Sequence, residues 1–486
     1  MLRRLRTIFA TLFFIVALAL FLDFSGTVHS YLSWVAKMQL MPAILSTNLV
    51  VIISLAITTL IGGRIYCSVI CPLGITQDII SWLVGKRKKN RFTPSKPHNI
   101  LRYSILAIYI LSIIAGIGIV VALLDPYAIF GRTTNQLLQP LWQWGNNLLA
   151  YIAEELDSYA FYEVSVWIKG ISTLIISAIS IAIIVILAWR NGRTYCNTIC
   201  PVGALLSLIS RYSLLKIEID TSKCNGCTLC QRNCKASCID AKAHIVDHSR
   251  CVVCGNCIDK CHKQAISYKW RWESNSTPKN NDIDQSKRAF VATAALIATS
   301  AAKAQVKNDG GLASITNKQA PNRTTRIVPA GAQSVSNFLS RCVGCQLCVS
   351  VCPNEVLRPD LMLKPHMSYE RGYCRPECTR CSEVCPAGAI VKVDRALKSS
   401  TQIGHAVWVK KNCIPLTDNV ECGNCARHCP AGAIRMVHTD PADNTSHKIP
   451  AVNETLCIGC GACENLCPAR PFSAIYVEGH EVHKTI

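Results

Sequence analysis

Histidine is missing from every long apolar run of this 486-residue chain, so no run can clasp a haem between two of its own imidazoles. Acids are scarce as well: 30 Asp and Glu face 51 Lys and Arg, a formal charge of +21. That balance alone would suggest nucleic acid. The basic residues instead flank apolar runs, and the cysteine groups described below bring negative charge of their own, so a nucleic-acid partner is excluded. Aromatics make up only 7% although half of the residues are hydrophobic. The long apolar runs cease after residue 215, and no small-x-small cleavage site follows the first of them, which speaks against a removed signal.

Cysteine is what the chain has in excess, with 29 residues in tight groups. An odd number cannot all pair as disulfides, and neighbours spaced by two are strained partners. Four uncharged apolar runs, about 7–22, 42–63, 103–124 and 171–189, read as membrane-crossing helices. Arg3, Arg4, Arg6, Arg64, "KRKKNR" at 86–91, Arg190 and Arg193 lie at one side of these runs. The stretch 125–170 has five acids against Arg132 and Lys169. Basic loops stay in the cytoplasm, so both ends of the bundle are expected there.

"GRIYCSVICPLGI" at 63–75 returns as "GRTYCNTICPVGA" at 192–204, each just after an apolar run. The unit is an internal repeat. Cys67 and Cys71, like Cys196 and Cys200, fall on one face of a helix turn, and Pro72 or Pro201 disfavours helix at the second cysteine. Each copy reads as a helix leaving the membrane, presenting two thiols and stopping. Segments 73–84 and 202–212 read as amphipathic helices along the interface. The four thiols are candidates for a redox-active pair or a metal site; packing alone, disulfides and a small cluster are the other readings. "LDPYAIFGR" at 124–132 offers Asp125 and Arg132 either as a quinol-head site with a proton acceptor or as an interfacial cap.

Six further groups follow the pattern Cys-x2-Cys-x2-Cys-x3-Cys, in which three thiolates hold one [4Fe–4S] cube and the fourth reaches the neighbouring cube. A zinc ribbon needs two Cys-x2-Cys pairs instead. Cys224, Cys227, Cys230 and Cys261 are expected to hold one cluster, and Cys251, Cys254, Cys257 and Cys234 another. Lys235 and His262 stand where proline usually follows the fourth cysteine, and Cys238 is left over, either a buried structural thiol or a spare ligand near a cluster. Four more groups follow: Cys342, Cys345, Cys348, Cys352; Cys374, Cys378, Cys381, Cys385; Cys413, Cys422, Cys425, Cys429; and Cys457, Cys460, Cys463, Cys467. The regular outer groups around stretched inner ones suggest a nested pairing, first with fourth and second with third; sequential pairing uses the same ligands.

The expected architecture is a membrane α-helical bundle of four transmembrane helices, with a fifth in view, plus two α+β bacterial-type ferredoxin modules. The bundle covers 1–215, a dicluster module 216–272, a linker 273–336 and a four-cluster domain 337–486.

The two "GR-x-Y-C-x3-C-P" motifs followed by the dicluster segment resemble the NapH-like membrane ferredoxins, quinol dehydrogenase subunits. The second half, with "RIVPAGAQSVSNFLSRCVGCQLCVSVCP" at 326–353, resembles the NapG-like four-cluster ferredoxins. The resemblance implies a fusion of the two: a bacterial inner-membrane protein passing electrons from the quinone pool through six [4Fe–4S] clusters to a reductase or cytochrome. It also supports the nested pairing. "SKRAF" at 286–290 resembles a decayed twin-arginine signal. If it acts as one, the segment 286–304 crosses and the last module is periplasmic while the first is cytoplasmic; as a plain connector it leaves both cytoplasmic. The crossing is the favoured expectation. The competing function is an assembly or regulatory factor, such as a metal reductase for a terminal oxidase or copper enzyme. Those relatives add a β-sandwich or flavin domain for which the chain has no room. No acid–base or nucleophilic substrate site is legible, so an enzymatic role means redox relay at most.

Overall fold

The computed structural model describes residues 2–85, 92–158, 160–271 and 318–486. The basic run 86–91, most of the 273–336 linker and the twin-arginine-like segment 286–304 lie outside the described residues.

Two unbroken helices frame the first half: α1 (Leu2–Leu22) and a second one at Ile171–Asn191. Among the described residues only these two are long and apolar enough to cross a bilayer alone. The other two predicted crossings are each divided. The run 42–63 is a short helix at Leu40–Leu45 followed by α2 (Leu49–Gly62). Thr47 in a left-handed conformation breaks it, and the Asn48 side chain caps the restart by accepting from Val51 N at 3.3 Å. The run 103–124 is split at Gly116, φ 72°, into Asn99–Ile114 and Gly118–Leu124. At 14 and 16 residues, α2 and Asn99–Ile114 rise only about 21 and 24 Å.

Each repeat motif also differs from the expected emerging helix. α2 ends at Gly63 and the helix Ile171–Asn191 at Gly192, both with positive φ near 75°. The chain turns back through one short helix, Tyr66–Val69 or Thr194–Thr198. It then enters a new helix with proline at its start, α3 (Pro72–Gly85) or Pro201–Ser210. Leu73, Gln77, Asp78 and Ser81 of the first are buried while Ile79, Trp82 and Leu83 are exposed, so it packs one face into the bundle; most residues of the second are buried. Their small residues Gly74 and Gly203 allow that insertion: a Cβ there would stand 2.3 Å from Cys67 O and 2.2 Å from Cys196 O.

Polarity in the bundle is inverted. Arg64, Arg102, Arg132 and Arg193 are fully buried, whereas Ile8, Leu12 and Ile15 of α1 and Ile175, Ile179 and Ile183 of the second long helix are exposed.

The first ferredoxin module pairs Leu215–Ile219 antiparallel with Ile266–Trp270 around two short helices that start beside cysteines. Among the described residues the second module contains four short strands and the long antiparallel pair Thr401–Trp408 with Ile475–Thr485. The two modules sit at opposite ends of α1. Arg3 pairs with Asp259 of the first module, while Phe21 and the Cys345 carbonyl of the second converge on Gly131. The second long helix repeats this arrangement. Gly170, just before it, lies against Pro359, and Gly192, just after it, lies against the Lys235 carbonyl.

Candidate functional site

Regular cysteine groups share one backbone device. Both neighbours of the second cysteine have positive φ: Gly226 and Thr228, Val253 and Gly255, Gly344 and Gln346, Gly459 and Gly461. Such turns form concave nests that aim backbone N–H groups at an anion. The β-branched Val253 in this conformation is a strained choice retained at the site. The stretched groups beginning at Cys374 and Cys413 lack the device.

The expected ligand sets fit tetrathiolate cages. Cys224, Cys227, Cys230 and Cys261 line one cavity. Cys257 lies within electrostatic reach of Cys254, Cys251 and Cys234, the second set of that module. The leftover Cys238 is buried, with its sulfur 3.5 Å from that of Cys234.

In the second module the nested pairing is corrected to a sequential one. Cys352 shares a cavity with Cys374, Cys378 and Cys381, and Cys385 neighbours Cys342, Cys345 and Cys348. Cys413, Cys422 and Cys425 share a cavity with Cys467, and Cys429 shares one with Cys457, Cys460 and Cys463. The physical reason is the strand Thr401–Trp408. Its pairing with the C-terminal strand, Ile475 opposite Trp408, delivers the third group to the fourth. Lys398 sits over one cage, donating from Nζ to Arg375 O at 2.7 Å and also to Cys378 O. Burial lowers its pKa, but the thiolates of Cys374 and Cys381 outweigh burial and hold it above the usual lysine value.

The structure brings the two repeat motifs together. Cys67, Cys71, Cys196 and Cys200 are all buried in one core. The repeats exchange the same contact: Arg64 Nη2 donates to Cys196 O at 3.1 Å, and Arg193 Nη1 donates to Cys67 O. Donors also reach the sulfurs. Gln77 Nε2 is 3.2 Å from Cys196 Sγ, Gly203 N 3.3 Å from Cys200 Sγ and Arg64 Nη2 3.7 Å from Cys67 Sγ. Arg193 Nη2 and Arg64 Nε are buried without partners.

The first module docks on this site. Arg64 and Arg102 donate to Ser249 O, at 3.1 and 3.0 Å, and Arg193 N donates to Lys235 O at 2.9 Å. Asp78 binds Arg6, Arg193 and Lys235 at 2.9, 2.8 and 3.1 Å. Lys235, in the position where proline is usual, is therefore a docking residue, a role its spacing did not signal.

Asp125 and Arg132 are buried within the protein, beside Gly131, which meets the second module. Asp125 Oδ2 caps Pro126–Thr133 by accepting from Ala128 N at 2.8 Å, and Arg132 donates to Ala122 O. Asp125 Oδ1 is, among the described residues, the one buried carboxylate oxygen with no hydrogen-bond partner. Next along the chain, the π-helix Thr134–Leu138 turns amides toward the second module. Asn135 Nδ2 donates to Gln346 O at 2.8 Å, and Gln136 Nε2 to Gln346 Oε1 at 2.9 Å.

Family models agree with this division. A 4Fe–4S binding domain matches residues 45–91 and again 173–219, and a 4Fe–4S dicluster domain matches 341–389 and 420–470. A second dicluster model spans 247–356. Its two cysteine groups belong to different modules at opposite ends of α1. Among similar proteins, an uncharacterized protein of Methanocaldococcus jannaschii is 27% identical over 54% of this chain and 86% of its own length. The ferredoxin-type protein NapH of Escherichia coli is 24% identical over 49% of this chain and 72% of its own. The methylamine utilization ferredoxin-type protein MauN of Methylobacillus flagellatus is 27% identical over 43% of this chain and 63% of its own. No solved structure matches.

The cages and these matches define an iron–sulfur electron-transfer protein that binds [4Fe–4S] clusters and works with redox partners. Within that class it is similar to the ferredoxin-type proteins NapH and MauN.

Proposed function

We propose that this protein is embedded in a bacterial inner membrane and passes electrons from quinol, through six [4Fe–4S] clusters, to a reductase on the far side. The observation that carries the reading is the inverted polarity of the bundle, with arginines inside, isoleucines outside and a ferredoxin module at each end. Exposed apolar surface of this kind belongs against lipid. The end that holds Arg3, Arg6 and Arg193 is the cytoplasmic one under the positive-inside rule, which leaves the NapG-like module periplasmic.

Oxidation of one quinol releases two electrons and two protons. Asp125, with its unpartnered Oδ1, is the proton acceptor in this reading, and Arg132 stabilises the carboxylate. Cys67, Cys71, Cys196 and Cys200 are the redox relay inside the bundle. Membranes given a short-chain quinol should show cluster reduction in the absence of any other donor. Asp125→Asn should slow that reduction at least tenfold and leave dithionite reduction unchanged. A reporter fused after residue 486 should be active only in the periplasm; activity in the cytoplasm alone would end the crossing model.

A further inference from the structure

The two ferredoxin modules are separated by the length of α1, whose 21 residues rise about 31 Å. Tunnelling falls exponentially with distance, so one hop across that span is far too slow for respiration. Something within the bundle has to carry the electron. The four motif thiols lie in the core that joins the modules: that buried core also contains Cys254 of the first module and Cys345 of the second.

Charge supplies an independent argument. Arg64, Arg102 and Arg193 are fully buried beside these thiols, and Lys235 and Arg6 bind Asp78, which among the described residues is the only carboxylate bound there. Neither Arg64 nor Arg102 pairs with a carboxylate among the described residues. Unpaired buried cations cost several kcal/mol each. Neutral thiols do nothing to offset this, whereas a tetrathiolate iron–sulfur centre brings roughly two negative charges. The donors from Gln77, Gly203 and Arg64 already point at sulfur, as they would at thiolates.

Joint ligation follows from the cysteine count. Each stretch matched by the 4Fe–4S binding domain contains only two cysteines, so neither repeat can cage a cluster alone.

We propose that the two repeats jointly hold one further iron–sulfur cluster, ligated by Cys67, Cys71, Cys196 and Cys200. It takes one electron at a time from one ferredoxin module and gives it to the other. The electron route rests on the membrane reading above; the ligation does not.

The experiment uses the full chain, purified anaerobically in detergent and reduced with dithionite, so that it is independent of quinol. Iron and acid-labile sulfide should exceed what six cubes hold. The variant carrying Cys67→Ser and Cys196→Ser should lose that excess and one paramagnetic signal while it keeps the ferredoxin signals, which also report folding. Without any variant, mass spectrometry after alkylation should find these four cysteines protected until iron is chelated. Equal iron in both proteins, or wild-type thiols that alkylate freely or are joined as disulfides, would overturn the proposal. Excess iron in a chain that quinol cannot reduce would leave this cluster standing and remove the quinol reading alone.

Discussion

The two ends of the bundle hold their ferredoxin modules by different chemistry. The end carrying the motifs is ionic, with Asp78 binding three cations and Arg64 and Arg102 sharing the Ser249 carbonyl. The opposite end has no ion pair to its module among the described residues: Asn135, Gln136 and Gln139 donate to the segment 346–350, Ser165 donates to Glu355, Arg358 and Arg371 lie over Trp167, and Gly131 lets the Cys345 backbone approach. A charged joint is worth most when every charge is paired, and it fails badly when one is removed. An amide joint degrades by small steps, one hydrogen bond at a time. The first module is thus fastened all-or-none, and the second by increments.

Asp78→Asn breaks the contrast most directly. It strands Arg6, Arg193 and Lys235 in a buried site, and a loss of about 3–5 kcal/mol is expected. Limited proteolysis should release the first module while the second stays protected. Gly131→Val strikes the opposite end. Even a Cβ there would lie 2.4 Å from Cys345 O, so overpacking of about 1–3 kcal/mol and a lowered melting temperature are expected. Gln136→Leu removes a single donor and leaves Gln346 Oε1 unbonded, at about 1–3 kcal/mol, measurable by denaturant titration. The smallest effect belongs to Lys398→Met, outside both joints. Loss of the cation should shift the potential of the neighbouring cluster negative by on the order of 1 kcal/mol, roughly 40 mV for one electron, read by redox-poised spectroscopy with stability little changed.

The cysteine groups were legible because ligand spacing is local: the nests around Cys227, Cys254, Cys345 and Cys460 need only a few residues each. The pairing of groups was not, because the strand Thr401–Trp408 finds its partner some seventy positions later, and spacing within a group says nothing about that. Breaks at Thr47 and Gly116 were hidden within runs that look uniformly apolar, since one residue with positive φ does not lower hydropathy. The buried polar face of the helix at 72–85, with Gln77 and Asp78, was not legible, because its partners Cys196 and Arg193 are distant in sequence. Lys235 looked like a defect in a motif. Only its partner Asp78, distant in sequence, gives it a purpose.

The crossed guanidinium contacts impose an order on biosynthesis. The carbonyl of Cys67 receives its donor from Arg193, so the earlier pair of sulfurs leaves the ribosome long before the arginine that fastens it has been made. A nascent chain stalled before residue 193 would expose two thiols with no counterpart to close over them, and a cluster shared by the two repeats, as proposed above, would load only once the later half of the bundle is made.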